Sequence, residues 1–163
     1  MTENLYHPDS IRTFTGQYVN PLNPDPDTIC IEDIAHALSQ ICRFGGHTQF
    51  FYSVAEHSLD VASRVKIDKL TALLHDASEA YLCDIPSPVK KQIPGYAEAE
   101  DRLMKVIAEK FGLLWPLPDF IKAVDKDVLE EEWHSVVLRG GVEPYTCERV
   151  KQSFLRTFEQ LTR

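Results

Sequence analysis

Residues 73–81 read Leu-Leu-His-Asp-Ala-Ser-Glu-Ala-Tyr, and the His75-Asp76 pair inside this apolar, helix-forming stretch constrains the chain more than any other feature. Packing alone gives no reason to set an imidazole, two carboxylates and a hydroxyl on consecutive turns of a helix of leucine, alanine and tyrosine. An ionised carboxylate taken out of water is heavily penalised unless a cation, a hydrogen-bond network or a metal matches it. Any fold for this sequence must bring such a partner to His75 and Asp76.

The rest of the chain divides into segments that can supply it. Thr15-Gly16, Asn20-Pro21, Asn23-Pro24 and Asp25-Pro26 give residues 11–29 the densest turn chemistry, which predicts a short hairpin or irregular arm within residues 1–32. Ile34, Leu38 and Ile41 follow the acidic Glu32-Asp33 at helical spacing, predicting a helix that ends before Gly45-Gly46. Ser53-Val54-Ala55-Glu56 matches a capping box, in which hydroxyl and carboxylate satisfy orphan amides reciprocally. The helix it opens carries Val54, His57, Leu59, Val61 and Val65. A third helix is predicted from about Lys69 to Tyr81, stopping near Asp84-Ile85-Pro86-Ser87-Pro88. Leu103, Met104, Ile107, Ala108 and Phe111 trace one face of a helix from about Ala97 that Gly112 closes. After the Trp115-Pro116-Leu117-Pro118 connector, helix is predicted over Phe120 to Leu138, broken by Gly140-Gly141. Tyr145 to Leu161 forms a last amphipathic helix. The pattern predicts an all-α helical bundle with a short irregular or hairpin N-terminal arm, and 163 residues suit a single domain over 1–163.

Charge and cysteine usage narrow the function. With 25 Asp and Glu against 17 Lys and Arg, the net charge of −8 opposes binding to a nucleic-acid polymer. A small anionic ligand would need local positive charge, most simply a bound cation. Cys30, Cys42, Cys83 and Cys147 form no Cys-x-x-Cys pair and read as reduced, mostly buried residues of a cytoplasmic protein. The N-terminus lacks the basic flank and apolar stretch of a signal peptide. No run approaches a membrane span, so no membrane partner is expected.

His57, His75-Asp76 and Asp125 fall on three separate predicted helices, and a bundle can project such side chains into one interior point. Two imidazoles with two carboxylates suit one divalent transition ion such as Zn²⁺, Mn²⁺, Fe²⁺ or Co²⁺ rather than the all-oxygen preference of Mg²⁺ or Ca²⁺. Four ligands leave room for water if the ion is five- or six-coordinate. Asp127 competes with Asp125 for the fourth position. Glu79 lies four residues after His75 and three after Asp76, on the same helical face about 5–6 Å away. Asp84 sits just past the helix end, where a loop can turn it back. Such carboxylates beside a metal-activated water equip a site for general acid/base hydrolysis. His7, His36 and His134 have no partners in the pattern, Trp115 and Trp133 read as packing residues, and Glu130-Glu131-Glu132 reads as a solvated helix face.

His57, His75-Asp76 and Asp125 resemble the H…HD…D signature of the HD-domain phosphohydrolases, all-helical metal-dependent enzymes. Ser53-Val54-Ala55-Glu56-His57-Ser58, His75-Asp76-Ala77-Ser78-Glu79 and Asp84-Ile85-Pro86-Ser87-Pro88-Val89-Lys90 are more closely similar to the YfbR-like 5′-deoxynucleotidase group. The resemblance spans about Ile34 to Glu132. It implies His57, His75, Asp76 and Asp125 as metal ligands, Asp125 being preferred over Asp127 because Val124 before it resembles a buried family position. It implies Glu79 and Asp84 as the residues serving water and leaving group, and a homodimer. The family places Arg-Trp before its first metal histidine, whereas this chain has Arg43-Phe44-Gly45-Gly46-His47. Arg43 still offers a bidentate phosphate contact, Phe44 a stacking surface, and His47 and Lys90 further substrate contacts. The implied activity is hydrolysis of a small nucleotide, a 5′-deoxyribonucleoside monophosphate to deoxynucleoside and phosphate. The alternatives are a deoxynucleoside triphosphate triphosphohydrolase, for example on dATP, and a non-catalytic metal- or nucleotide-sensing module.

Overall fold

The computed structural model describes residues 7–140 and 144–163. The turn-rich arm folds as expected: strands β1 (Ile11–Arg12) and β2 (Tyr18–Val19) pair antiparallel with Ile11 opposite Val19, and Gly16 takes the positive φ of +91° in the turn between them. The arm is fastened by one acid. Asp33 accepts hydrogen bonds from the Thr15 amide at 2.7 Å, the Thr15 hydroxyl at 2.8 Å and the Cys30 thiol at 3.1 Å. Val19 thereby reaches the core with no exposed surface.

Helix α1 (Ile31–Gln40) buries Ile34, Ala35 and Leu38, and α2 (Val54–Arg64) starts at the foreseen capping box. The Ser53 hydroxyl accepts from the Glu56 amide at 3.2 Å, and the Glu56 carboxylate accepts from the Ser53 amide at 2.8 Å. This pins the first turn of α2 and with it the depth at which His57, one turn further on, enters the interior.

The third predicted helix is not continuous. It divides into α3 (Lys69–Leu73) and α4 (Glu79–Leu82), with residues 74–78 in tight turns between them. Amides of Ala77, Glu79, Ala80 and Tyr81 bond to carbonyls three residues back rather than four. Tighter winding of this kind is common where a helix meets a functional site. The side chains of His75 and Asp76 meet at their tips, with Nε2 and Oδ2 3.2 Å apart.

Beyond the loop come α5 (Ser87–Lys90), α6 (Tyr96–Phe111) closed by left-handed Gly112, α7 (Asp119–Glu132) and α8 (Cys147–Thr162). The expected single helix to Leu138 changes type. It is α-helical to Glu132 and π-helical over Trp133–Arg139, ending at Gly140. Gly141, half of the expected breaking pair, lies outside the described residues. Helix α1 packs on α2, α4 and α8, while α2 also meets α3 and α7. Ile34, Leu38, Leu73, Leu74, Leu103, Ile107, Ile121 and Phe154 are fully enclosed. Burial stabilises each by roughly 1.5–3 kcal/mol. Arg102 donates to the Leu22 carbonyl at 2.7 Å, tying α6 to the arm.

The fold is thus mostly helical, with one small hairpin. The cysteines depart from expectation: all four are free, but Cys30, Cys42 and Cys147 are only half-buried and Cys83 is exposed. Among the described residues no helix is long and apolar enough to cross a membrane.

Candidate metal centre

His57 comes from the second turn of α2 and His75 from the tightened segment after α3, and both are buried. Each ring uses one nitrogen for structure. His57 Nδ1 donates to Glu132 Oε1 at 2.8 Å, and His75 Nδ1 donates to the Ala72 carbonyl at 2.7 Å. These bonds place the ring proton on Nδ1 and leave a lone pair on each Nε2. Neither Nε2 has a hydrogen-bond partner although both are buried.

The two lone pairs face carboxylates. Asp125 Oδ1 lies 3.0 Å from His57 Nε2 and 3.7 Å from His75 Nε2. Asp76 Oδ2 lies 3.2 Å from His75 Nε2 and 3.7 Å from His57 Nε2. Acceptors facing acceptors inside a protein repel unless positive charge lies between them. The titration behaviour has the same origin. Burial disfavours the His57 imidazolium, but Asp125 and Glu132 outweigh it and raise the pKa; burial likewise opposes the His75 cation and is overcome by Asp76 and Asp125. Burial also opposes ionisation of Asp76 and Asp125, yet the imidazoles hold both well below the carboxylate range.

His57, His75 and Asp125 form a group that could hold a metal ion, their ligand atoms lying within 4.8 Å of one another. The donor set fits a divalent transition ion, since each imidazole presents a free Nε2 and each Nδ1 is anchored from behind. Asp76 is outside that tight trio while facing both imidazoles. Asp127, the alternative to Asp125, is exposed and borders a separate surface hollow with Arg64 and Glu131.

The trio opens into a cleft of about 830 Å³, bordered by Arg43, Phe44, His47, Asp76, Glu79, Asp84, Lys90, Asp125, Trp133 and His134. All the candidate site residues except His57 and His75, which lie behind its floor, border it. Glu79 is 6% exposed, and its Oε2 has no hydrogen-bond partner. Burial pushes its carboxyl well above the ordinary range, helped by Asp76 and Asp84 and opposed by Lys90 and Arg43. Burial also raises Asp84, with Arg43 pulling the other way. Lys90 is matched by Glu100 at 2.7 Å, so its charge is already partnered.

Arg43 is buried, donates from Nε to Glu132 Oε2 at 2.9 Å, and directs Nη1 to within 4.0 Å of Asp76 Oδ2. Phe44 and Gly45 follow in left-handed conformations, φ +57° and +62°. Glycine suits the second because a β-carbon there would also come within 3.4 Å of Pro86 Cγ. This turn holds the Phe44 ring with its centroid 5.2 Å from the guanidinium and 5.9 Å from Trp133.

Two expectations are corrected. Glu132 does not belong to a solvated face: it is 4% exposed and bonded to both His57 and Arg43. Its signal lay in register, since Ile121, Asp125, Val128 and Glu132 share one face of α7. Trp133 is 48% exposed and lines the cleft rather than the core, and His134 lines it too. Nothing local marked these two, because the π-helical turn that re-aims them begins at Trp133.

No family model matches the chain. It is 40% identical over 132 residues to the uncharacterized protein YfdR of Escherichia coli strain K12, a match covering 80% of this chain and 74% of that protein. It is 42% identical over 126 residues to an uncharacterized protein of Rhodobacter capsulatus, covering 71% of this chain and 64% of that relative, less than two thirds of its length.

Proposed function

We propose that this chain, which belongs to the same family as the Escherichia coli protein YfdR, is an HD-domain, metal-dependent phosphohydrolase of small nucleotides. Its favoured substrate is a 5′-deoxyribonucleoside monophosphate, released as deoxynucleoside and phosphate. The observation that carries this reading is the pair of buried, unpartnered Nε2 atoms facing Asp125 and Asp76, the two acids that border an open cleft.

An ion held by His57, His75 and Asp125, with Asp76 beside them, would supply Lewis-acid charge for a phosphoryl group and make water more acidic. The chain's own residues account for the remainder. Arg43 binds phosphate oxygens with the guanidinium edge that Glu132 leaves free. Glu79, enclosed with one oxygen unpartnered, accepts a proton from water and returns it to the departing 5′ oxygen, and Asp84, bordering the same cleft, orients the water. Phe44 and Trp133, packed edge to face, give the cleft an aromatic border suited to a base or sugar.

The charge of the cleft favours the monophosphate over the triphosphate. Arg43 and Lys90 are its long cations and both are already partnered, against the acids Asp76, Glu79, Asp84 and Asp125. The test is product analysis on a panel of deoxynucleoside mono- and triphosphates with Mn²⁺, Co²⁺ or Zn²⁺ and a chelator control. Inorganic phosphate from monophosphates is expected. Tripolyphosphate would favour the triphosphohydrolase, and no turnover of any substrate would favour a sensor.

A further inference from the structure

We infer that Glu132 is a positioning residue whose single carboxylate sets both the tautomer of His57 and the orientation of Arg43. The inference rests on reading the trio as a metal site. Its two oxygens act separately: Oε1 accepts from His57 Nδ1 at 2.8 Å and Oε2 from Arg43 Nε at 2.9 Å. Because Nδ1 holds the ring proton for this bond, the His57 lone pair must lie on Nε2, on the side of Asp125. Because Nε of Arg43 is occupied, its Nη edge is turned toward Asp76 and the cleft.

Helix α7 therefore grips His57 from both ends of the ring. Asp125 stands 3.0 Å from Nε2 and Glu132 2.8 Å from Nδ1. The two acids are two turns apart, about 10.5 Å along the axis, a span that an imidazole with two flanking contacts can bridge. Glu132 is also the last residue of α7 before the π-helical turn.

A carboxylate can accept on both sides, which an amide cannot. In Glu132→Gln one face must present its NH₂ group. Arg43 always carries a charge and has no acceptor, so the amide oxygen stays with it. The NH₂ then faces His57 Nδ1, which can accept only by moving its proton to Nε2, where the metal lone pair is needed.

Zn²⁺ affinity, measured by competition with a chelating dye, is the readout. Glu132→Gln is expected to weaken it by about 10–100-fold, the usual cost of removing such a supporting partner. Glu132→Asp, shorter but still a double acceptor, is expected to bind Zn²⁺ more tightly than the Gln variant. Space filling alone predicts the reverse order, because glutamine is the closer match in shape. Equal affinity of the Gln variant and the parent within twofold, or that reversed order, overturns the inference. Independently of how the variants fold, NMR of the Zn²⁺-bound parent should show a slowly exchanging His57 Nδ1–H, and its absence would also overturn it. If the parent itself binds no Zn²⁺, the metal reading fails; if parent and Gln variant bind alike, only the role of Glu132 does.

Discussion

Replacing Glu79 with glutamine should separate chemistry from stability. The side chain is enclosed, with Oε2 unpartnered and the carboxylates of Asp76 and Asp84 nearby. An unsatisfied buried polar group costs about 1–3 kcal/mol. The sign with pH follows from the direction of the shift. Its folded pKa lies above the unfolded value near 4.3, so the folded state holds the proton more tightly. The contribution of this group is intact below the unfolded value and declines as pH rises through the folded one. Glutamine cannot ionise and escapes that decline. For a chain of this length, about 1 kcal/mol corresponds to roughly 2–4 °C in Tm. Metal-free Glu79→Gln is therefore expected to match or exceed the parent at pH 8 by up to a few degrees, the gap narrowing toward pH 5. Turnover with Mn²⁺ should fall about 10²–10⁴-fold, the usual contribution of a positioned acid or base, with metal content unchanged. Circular-dichroism melts across pH and phosphate release measure the two effects. A Tm lowered equally at every pH would refute the electrostatic argument, and near-parental turnover would remove the proton-transfer role.

Asp76→Ala should lose metal retention and turnover together, whereas Asp127→Ala should keep both within twofold; metal loss in the second variant would mean the wrong acid had been assigned. Cys83 sits at φ 66°, ψ 161°, a region essentially reserved for glycine. Cys83→Gly should add about 1 kcal/mol after the entropic cost of glycine is subtracted, and a lower Tm would contradict that strain. Asp33→Asn should loosen the arm. Burial opposes ionisation of Asp33, but hydrogen bonds including those from Thr15 hold its pKa below the ordinary value. Its contribution is present above the unfolded value and disappears as pH falls through the folded one, so the variant should lose about 1.5–3 kcal/mol at pH 7 and converge with the parent in acid. Urea titrations at several pH values check this, and a gap independent of pH would count against it.

Features governed by neighbours in sequence were legible in advance. The Ser53 capping box, the turn-rich hairpin and the Gly112 stop appear where local chemistry places them, because a cap or turn is satisfied within a few residues. The gathering of His57, His75 and Asp125 was also readable, since ligand-type residues on apolar helical faces need a compensating partner, whereas Asp76 stands beside that trio rather than in it. The division of residues 69–82 was not. Leu, Ala and Glu in that stretch all favour helix, and tight winding around His75 and Asp76 gains from contacts made with α2 and α7.

By itself the sequence determined the course of α1, α2, α6 and α8 and which side chains are available to hold a cation. Tertiary structure alone decided that Glu132, from an acidic run that looks solvated, lies behind His57 and against Arg43, and that Trp133 faces the cleft. Capping and periodicity act over one or two turns, whereas the pairing of Arg43 with Glu132 exists only once the turn that carries Arg43, ahead of α2, has come against the end of α7 and water is excluded around both charges.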